Sequence, residues 1–109
     1  MENCLFCQIA KGEIPTDFIY SSEEIVAFRD IHPQAPIHVL IIPKKHLKSV
    51  NEIDQEDLLL MGKLLEAAKV IALDEHIAES GYRLIINSGA DSGQTVEHIH
   101  MHLMGGKKL

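Results

Sequence analysis

The sequence predicts an α+β fold with a mostly antiparallel sheet, and three observations carry that expectation. Short β-rich runs cluster near both ends of the 109-residue chain. One long stretch of helical periodicity, residues 54–79, lies between them. The strand–helix–strand rhythm that builds a parallel sheet is missing from the pattern. The length is that of one domain, taken as 1–109.

The elements follow in order. Leu5, Phe6, Ile9 and Ala10 have the spacing of a short N-terminal helix, which Lys11-Gly12-Glu13-Ile14-Pro15 breaks. Phe18-Ile19-Tyr20 is a short strand, and Ser21-Ser22-Glu23-Glu24 turns into a second, Ile25-Val26-Ala27-Phe28-Arg29. Two prolines make residues 31–36 a loop. His38-Val39-Leu40-Ile41-Ile42-Pro43 is apolar nearly throughout, as expected of a strand buried on both faces. In the long helix Asp54 is the expected N-cap, and Glu56 and Asp57 suit the positive end of the helix dipole. Leu58, Met61, Leu65, Ala68, Ile71 and Ala72 keep helical spacing, and Leu59, Leu60, Leu64 and Val70 widen the stripe. That is apolar surface enough for two faces, one on the sheet and one on a partner. His76 is placed on this helix facing solvent, and Gly81 is the expected stop. Tyr82-Arg83-Leu84-Ile85-Ile86-Asn87 is the next strand, and a turn-rich loop leads to the last, 98–103.

Composition removes several classes of function. A net charge of −6 argues against a nucleic-acid partner, which needs a basic face. No apolar run approaches the roughly 20 residues of a membrane span, and Met1-Glu2-Asn3-Cys4 does not open a signal peptide. The expected compartment is the cytoplasm, where a structural disulfide between Cys4 and Cys7 would not persist.

The last strand carries the chemistry. His98, His100 and His102 alternate with Ile99, Met101 and Leu103, which places three imidazoles on one strand face. Neighbouring imidazoles there are about 6.6 Å apart and the outer pair roughly 13 Å, so a straight strand does not bring all three to one ion. A single His-x-His pair still could share a metal. Neutral imidazole is also a good nucleophile near neutral pH. A phosphorus centre asks for such a nucleophile, for donors on its non-bridging oxygens, and for a proton on the leaving group. Backbone N–H groups of loop 88–95 are candidate anion donors.

His98-Ile99-His100-Met101-His102-Leu103-Met104 resembles the histidine-triad signature, in which three histidines alternate with apolar residues. Phe28-Arg29-Asp30-Ile31-His32-Pro33-Gln34-Ala35-Pro36, followed by His38-Val39-Leu40-Ile41-Ile42-Pro43-Lys44-Lys45-His46, is similar to the family's other hallmark. The Gly-Gly after the triad resembles the nucleotide-binding branch. The resemblance implies a five-stranded antiparallel sheet with one long helix, paired into a ten-stranded sheet across a homodimer. It implies a purine nucleoside phosphoramidase acting on nucleoside monophosphates joined to an amine or acyl group.

Position by position, the resemblance makes His100 the nucleophile that forms a nucleotidyl-histidine. His102 contacts the phosphate, and His38 and His98 hold the surroundings. Asn87, Gly93 and Thr95 sit around the phosphate and leaving group, and Asp30 takes the ribose hydroxyls, which a carboxylate can accept from. Phe6, Ile9, Ile14, Phe28 and Ile31 line the base pocket; without the resemblance these five read equally as core residues. Cys4 and Cys7 are half a zinc site by spacing or two ordinary cysteines. The resemblance completes a structural Zn²⁺ set of Cys4, Cys7, His46 and His98, with no cofactor required for catalysis.

Two departures bear on specificity. Thr95 stands where the branch usually has Ser, keeping the hydroxyl but stiffening χ1. The sequence stops at Leu109, while longer relatives continue into a tail near the active site. Two other functions compete with the enzyme: a purine-nucleotide-binding adaptor with incidental hydrolysis, and a metalloenzyme using His98 and His100 as catalytic ligands.

Overall fold

The computed structural model describes residues 4–109; residues 1–3, on which the signal-peptide expectation falls, lie outside the described residues. A short helix α1 (Leu5–Ala10) is followed by strands β1 (Tyr20–Ser21), β2 (Ile25–Arg29) and β3 (Ile37–Pro43). The long helix α2 (Leu58–Asp74) comes next, then β4 (Tyr82–Ile85) and β5 (Met101–Gly105). The strands form one antiparallel sheet in the order β1-β2-β3-β5-β4, an α+β arrangement with one long helix.

The sheet has a core on each face, and the period-2 alternation of β2 and β3 feeds both. Ile25, Ala27, Val39 and Ile41 face α2, meeting Leu64, Ala67, Ala68, Ile71 and Ala72. Val26, Phe28, Leu40 and Ile42 face the other way, onto Phe6 and Ile9 of α1. This is why β3 reads as a continuous apolar run. Three alanines on α2 let the helix lie close to the sheet, while Leu64 and Ile71 each contribute about 1.5–3 kcal/mol of burial. Close approach also fixes Gly105, where an added Cβ would lie 2.8 Å from Ile77 Cδ1 and 3.3 Å from the Gly81 carbonyl oxygen.

Several boundaries differ from expectation. The helix does not span 54–79. Asp54 and Asp57 form a reciprocal capping box around a 3₁₀ turn (Gln55–Asp57), and the α-helix begins only at Leu58. Its end is set by His76, not Gly81. His76 takes φ 62°, and the N–H groups of His76 and Ile77 return to the carbonyls of Leu73 and Ala72. This Schellman-type turn swings Ile77 into the core. His76 is exposed as expected but stands off the helix. The first strand starts at Tyr20, leaving Phe18 outside it, and β4 ends at Ile85, short of Asn87.

The most consequential difference concerns the triad. β5 starts at Met101, so His98 and His100 precede the strand. The ladder with β3 begins at Ile41 opposite Met101. Pro43, which the continued register would bring opposite Ile99, has no N–H to offer. Its carbonyl oxygen instead accepts a hydrogen bond from His98 Nε2 at 2.8 Å. Ile99 N–H turns to the carbonyl oxygen of Leu47 at 2.7 Å. The three imidazoles therefore do not share one strand face.

Candidate active site

A cleft of about 930 Å³ opens on the α1 side of the sheet. Of the residues singled out from sequence, Phe6, Ile9, Ile14, Phe28, Asp30, Ile31, Thr95, His100 and His102 line it. Phe6 stands edge-on to Phe28 with ring centres 5.7 Å apart. Ile31 is 86% exposed, an apolar side chain standing at the opening.

The loop between β2 and β3 is built around Asp30 and His38. Asp30 N–H donates to the His38 carbonyl at 3.0 Å, and Asp30 Oδ1 accepts from His32 N–H at 2.8 Å. Gln34 N–H donates to His38 Nδ1 at 3.0 Å. A ring nitrogen that accepts carries no proton, so in the neutral ring the His38 proton sits on Nε2. His38 Nε2–H then donates to His102 Nδ1 at 2.9 Å, with Asp30 Oδ2 3.4 Å from the same nitrogen. By the same logic His102 carries its proton on Nε2. Burial, with His100 and His38 beside it, holds His102 below the usual histidine range, so it is neutral near pH 7. The relay presents a neutral N–H donor in the cleft wall.

His100 is set the opposite way. Its Nδ1–H donates to the His98 carbonyl oxygen at 2.8 Å, which leaves the lone pair on Nε2. Phe6 packs edge-on against His100, ring centres 5.1 Å apart, and the His100 and His102 rings lie 5.2 Å apart. Lone pair and donor thus stand side by side, which is what attack on an anionic electrophile requires.

Loop 88–95 bounds the cleft with Thr95. A 3₁₀ turn (Ala90–Ser92) sits between Gly89 and Gly93, both at positive φ (88° and 89°). Asn87 Nδ2–H donates to the Ser92 carbonyl at 2.9 Å. Neither Asn87 nor Gly93 lines the cleft; both shape the loop that presents Thr95. Gln94, unassigned from sequence, is the clamp. Its Oε1 accepts from Gly89 N–H at 2.8 Å, and its Nε2 donates to the Lys48 carbonyl at 2.6 Å and the Val96 carbonyl at 2.9 Å. Leu5, Phe18, Leu40 and Val96 also line the cleft without having been assigned to it. Leu40 was legible, since it is two residues from His38 on the same strand face.

Behind His100 lies a second constellation. Cys4, Cys7, His46 and His98 bring their ligand atoms within 4.8 Å of one another. Cys4 Sγ is 3.3 Å from His98 Nδ1, Cys7 Sγ is 3.3 Å from His46 Nδ1 and 3.5 Å from His98 Nδ1, and the two Nδ1 atoms are 3.3 Å apart. A tetrahedral cation with bonds of about 2.1 Å to nitrogen and 2.3 Å to sulfur spaces its ligands by about 3.3–3.8 Å. His98 Nε2 donates to Pro43, so Nδ1 has its lone pair aimed into the cluster. Cys7, pushed up to about 11 by burial and by Cys4 beside it, would be a thiol without a cation. The four residues fit a metal ion. Asp30, His38 and His102 also lie within 4.8 Å of one another, but the Gln34 N–H leaves His38 Nε2 protonated and without a lone pair for a metal.

A family model described as "HIT domain" matches residues 11–109. The chain is 47% identical over 108 residues to a purine nucleoside phosphoramidase of Escherichia coli (strain K12), covering 99% of this chain and 91% of that one. Two solved structures are similar throughout. A HIT family hydrolase from Legionella pneumophila gives a TM-score of 0.95 at 50% identity, over 97% of this chain and 95% of that one. A HIT family hydrolase from Clostridium thermocellum gives 0.97 at 48%, over 100% and 95%.

Proposed function

The chain belongs to the HIT domain family, and from that premise we propose that it is a purine nucleoside phosphoramidase. The observation that carries the reading is the bond from His100 Nδ1 to the His98 carbonyl, which leaves Nε2 nucleophilic in the cleft wall beside the His102 donor. In the proposed reaction His100 Nε2 attacks the α-phosphorus of a nucleoside monophosphate joined to an amine. The N–P bond to His100 forms as the P–N bond to the amine breaks, and the amine leaves with a proton assisted by Thr95 or solvent. Water then displaces the histidine from phosphorus, releasing the nucleoside monophosphate and restoring His100. His102 Nε2–H and N–H groups of loop 88–95 hold the non-bridging oxygens, with Asn87 and Gly93 shaping that loop. Asp30 takes the ribose hydroxyls, and Phe6, Ile9, Ile14, Phe28 and Ile31 enclose the base.

Zinc is the ion best suited to Cys4, Cys7, His46 and His98. Four protein ligands close it to substrate, so it would serve as a structural cross-link. A metal-held thiol pair fits a reducing compartment such as the cytoplasm; among the described residues no helix is long and apolar enough to cross a membrane. The second apolar face of α2, with Leu58 60% and Leu59 74% exposed, supports a homodimer joined through α2 and the edge strand β4 into a ten-stranded sheet. Sizing chromatography reads that state directly.

The test of the activity is His100→Ala and His100→Gly assayed with adenosine and guanosine phosphoramidates. Turnover is expected to fall by at least about 10³-fold with the fold retained. Full activity in either variant overturns the proposal, and tight AMP or GMP binding with negligible wild-type turnover identifies an adaptor.

A further inference from the structure

The metal-type cluster and the cleft share their walls. Cys4 and Cys7 flank Leu5 and Phe6, and Leu5, Phe6 and Ile9 line the cleft. His46 and His98 belong to the segments that carry the catalytic groups. Next to His46, the Leu47 carbonyl accepts from Ile99 N–H, and the Lys48 carbonyl accepts from Gln94 Nε2–H. The His98 carbonyl orients His100. Phe6 touches both sides, edge-on to His98 at 6.0 Å and to His100 at 5.1 Å. We propose that metal occupancy of Cys4, Cys7, His46 and His98 controls nucleotide affinity by clamping α1, as the movable wall of the cleft, onto the His98–His100 segment.

The inference rests on the nucleotide reading of the cleft and adds a coupling between two sites. α1 has six residues, far below the length at which a helix holds itself together in water. Its place depends on Phe6, Cys7 and Ile9 packing under it and on what the two sulfurs grip. With a cation bound, four ligand bonds fix the position of Phe6, which packs edge-on to Phe28 and with it forms part of the wall of the cleft a base must enter. Without it, α1 loses those four bonds and keeps only the weaker thiol–imidazole contacts of Cys4 and Cys7 as links from the two sulfurs to the His46 and His98 segments, and binding a nucleotide must also order the wall. Coupling of this kind is reciprocal: the factor by which metal tightens nucleotide binding is the factor by which nucleotide tightens metal binding.

The experiment compares zinc-loaded protein with protein stripped by a chelator, using calorimetric titration with AMP and amide hydrogen exchange. Stripping is expected to weaken AMP binding about tenfold, and saturating AMP to tighten zinc binding by the same factor. Exchange protection should fall in residues 5–10 and 94–100 and persist in β3. Equal AMP affinity in both states overturns the coupling and leaves the nucleotide reading standing. Absence of AMP binding to the zinc-loaded protein overturns both. Protection lost equally in β3 also overturns the coupling, because the metal would then hold the whole fold.

Discussion

Two clusters in this molecule look alike on a list of residues and differ in chemistry. Cys4, Cys7, His46 and His98 converge on one side of the triad segment, and Asp30, His38 and His102 on the other. Each packs its donor atoms within 4.8 Å. What separates them is one backbone group at the far nitrogen of one ring. Pro43 offers a carbonyl to His98 Nε2, which leaves a lone pair on Nδ1 for a cation. Gln34 offers an N–H to His38 Nδ1, which leaves a proton on Nε2 and makes a hydrogen-bond relay. Proximity of ligating residues is therefore half of a metal site; the partner of the second ring nitrogen is the other half.

The comparison can be broken from either side. The largest effect is expected for Cys7→Ala, which removes a ligand from the first cluster. Zinc content should fall well below one per chain and thermal stability by roughly 10 °C or more, read by metal analysis and calorimetry. Full zinc retention would contradict the ligand set. His38→Ala is next. It should lower kcat on an adenosine phosphoramidate about 100-fold, by removing the group that fixes the His102 proton, while zinc content stays unchanged. Loss of zinc in that variant would show that the two clusters are not separate.

A smaller effect is expected from pH. Burial holds His102 below its ordinary value of 6.5, so the unfolded chain takes up this proton before the folded one does. The contribution is fully present above pH 6.5 and declines as pH falls below it toward the folded value. Denaturant unfolding from pH 7.5 to 5 should show this decline, with a shallower slope in His102→Gln. An identical slope would remove His102 from the account. Smallest of all, Thr95→Ser keeps the hydroxyl and frees χ1, and kcat should change less than about threefold.

Much of this was legible in the sequence because it depends on periodicity. The double-faced burial of β3 follows from its unbroken apolar run, and the α2 core face from its 3.6-residue spacing. The segment 98–103 shows where periodicity stops being informative. Alternation predicted a strand, but Pro43 cannot extend the ladder and the Leu47 carbonyl captures Ile99 N–H. Those partners lie more than fifty residues away in sequence, and no local pattern encodes them. The end of α2 was missed for a related reason: Ile77 has to enter the core, and His76 supplies the turn that a sequence reader assigns to glycine. Gln94 was passed over because its role is to bond backbone carbonyls, which leaves no signature in spacing.

The bond from His100 Nδ1–H to the His98 carbonyl also makes the site visible to spectroscopy. That proton lies on a residue 5% exposed, and the Nε2 protons of His38 and His98 lie on residues 3% and 0% exposed, each donated to a neighbour. Held this way, all three should exchange slowly with water and stand as separate downfield signals in a proton spectrum. A nitrogen-15 label on the rings would assign each tautomer by its one-bond coupling. His100, His38 in the relay and His98 on the cysteine side would each then report its own state during a titration, with no substitution made in the chain.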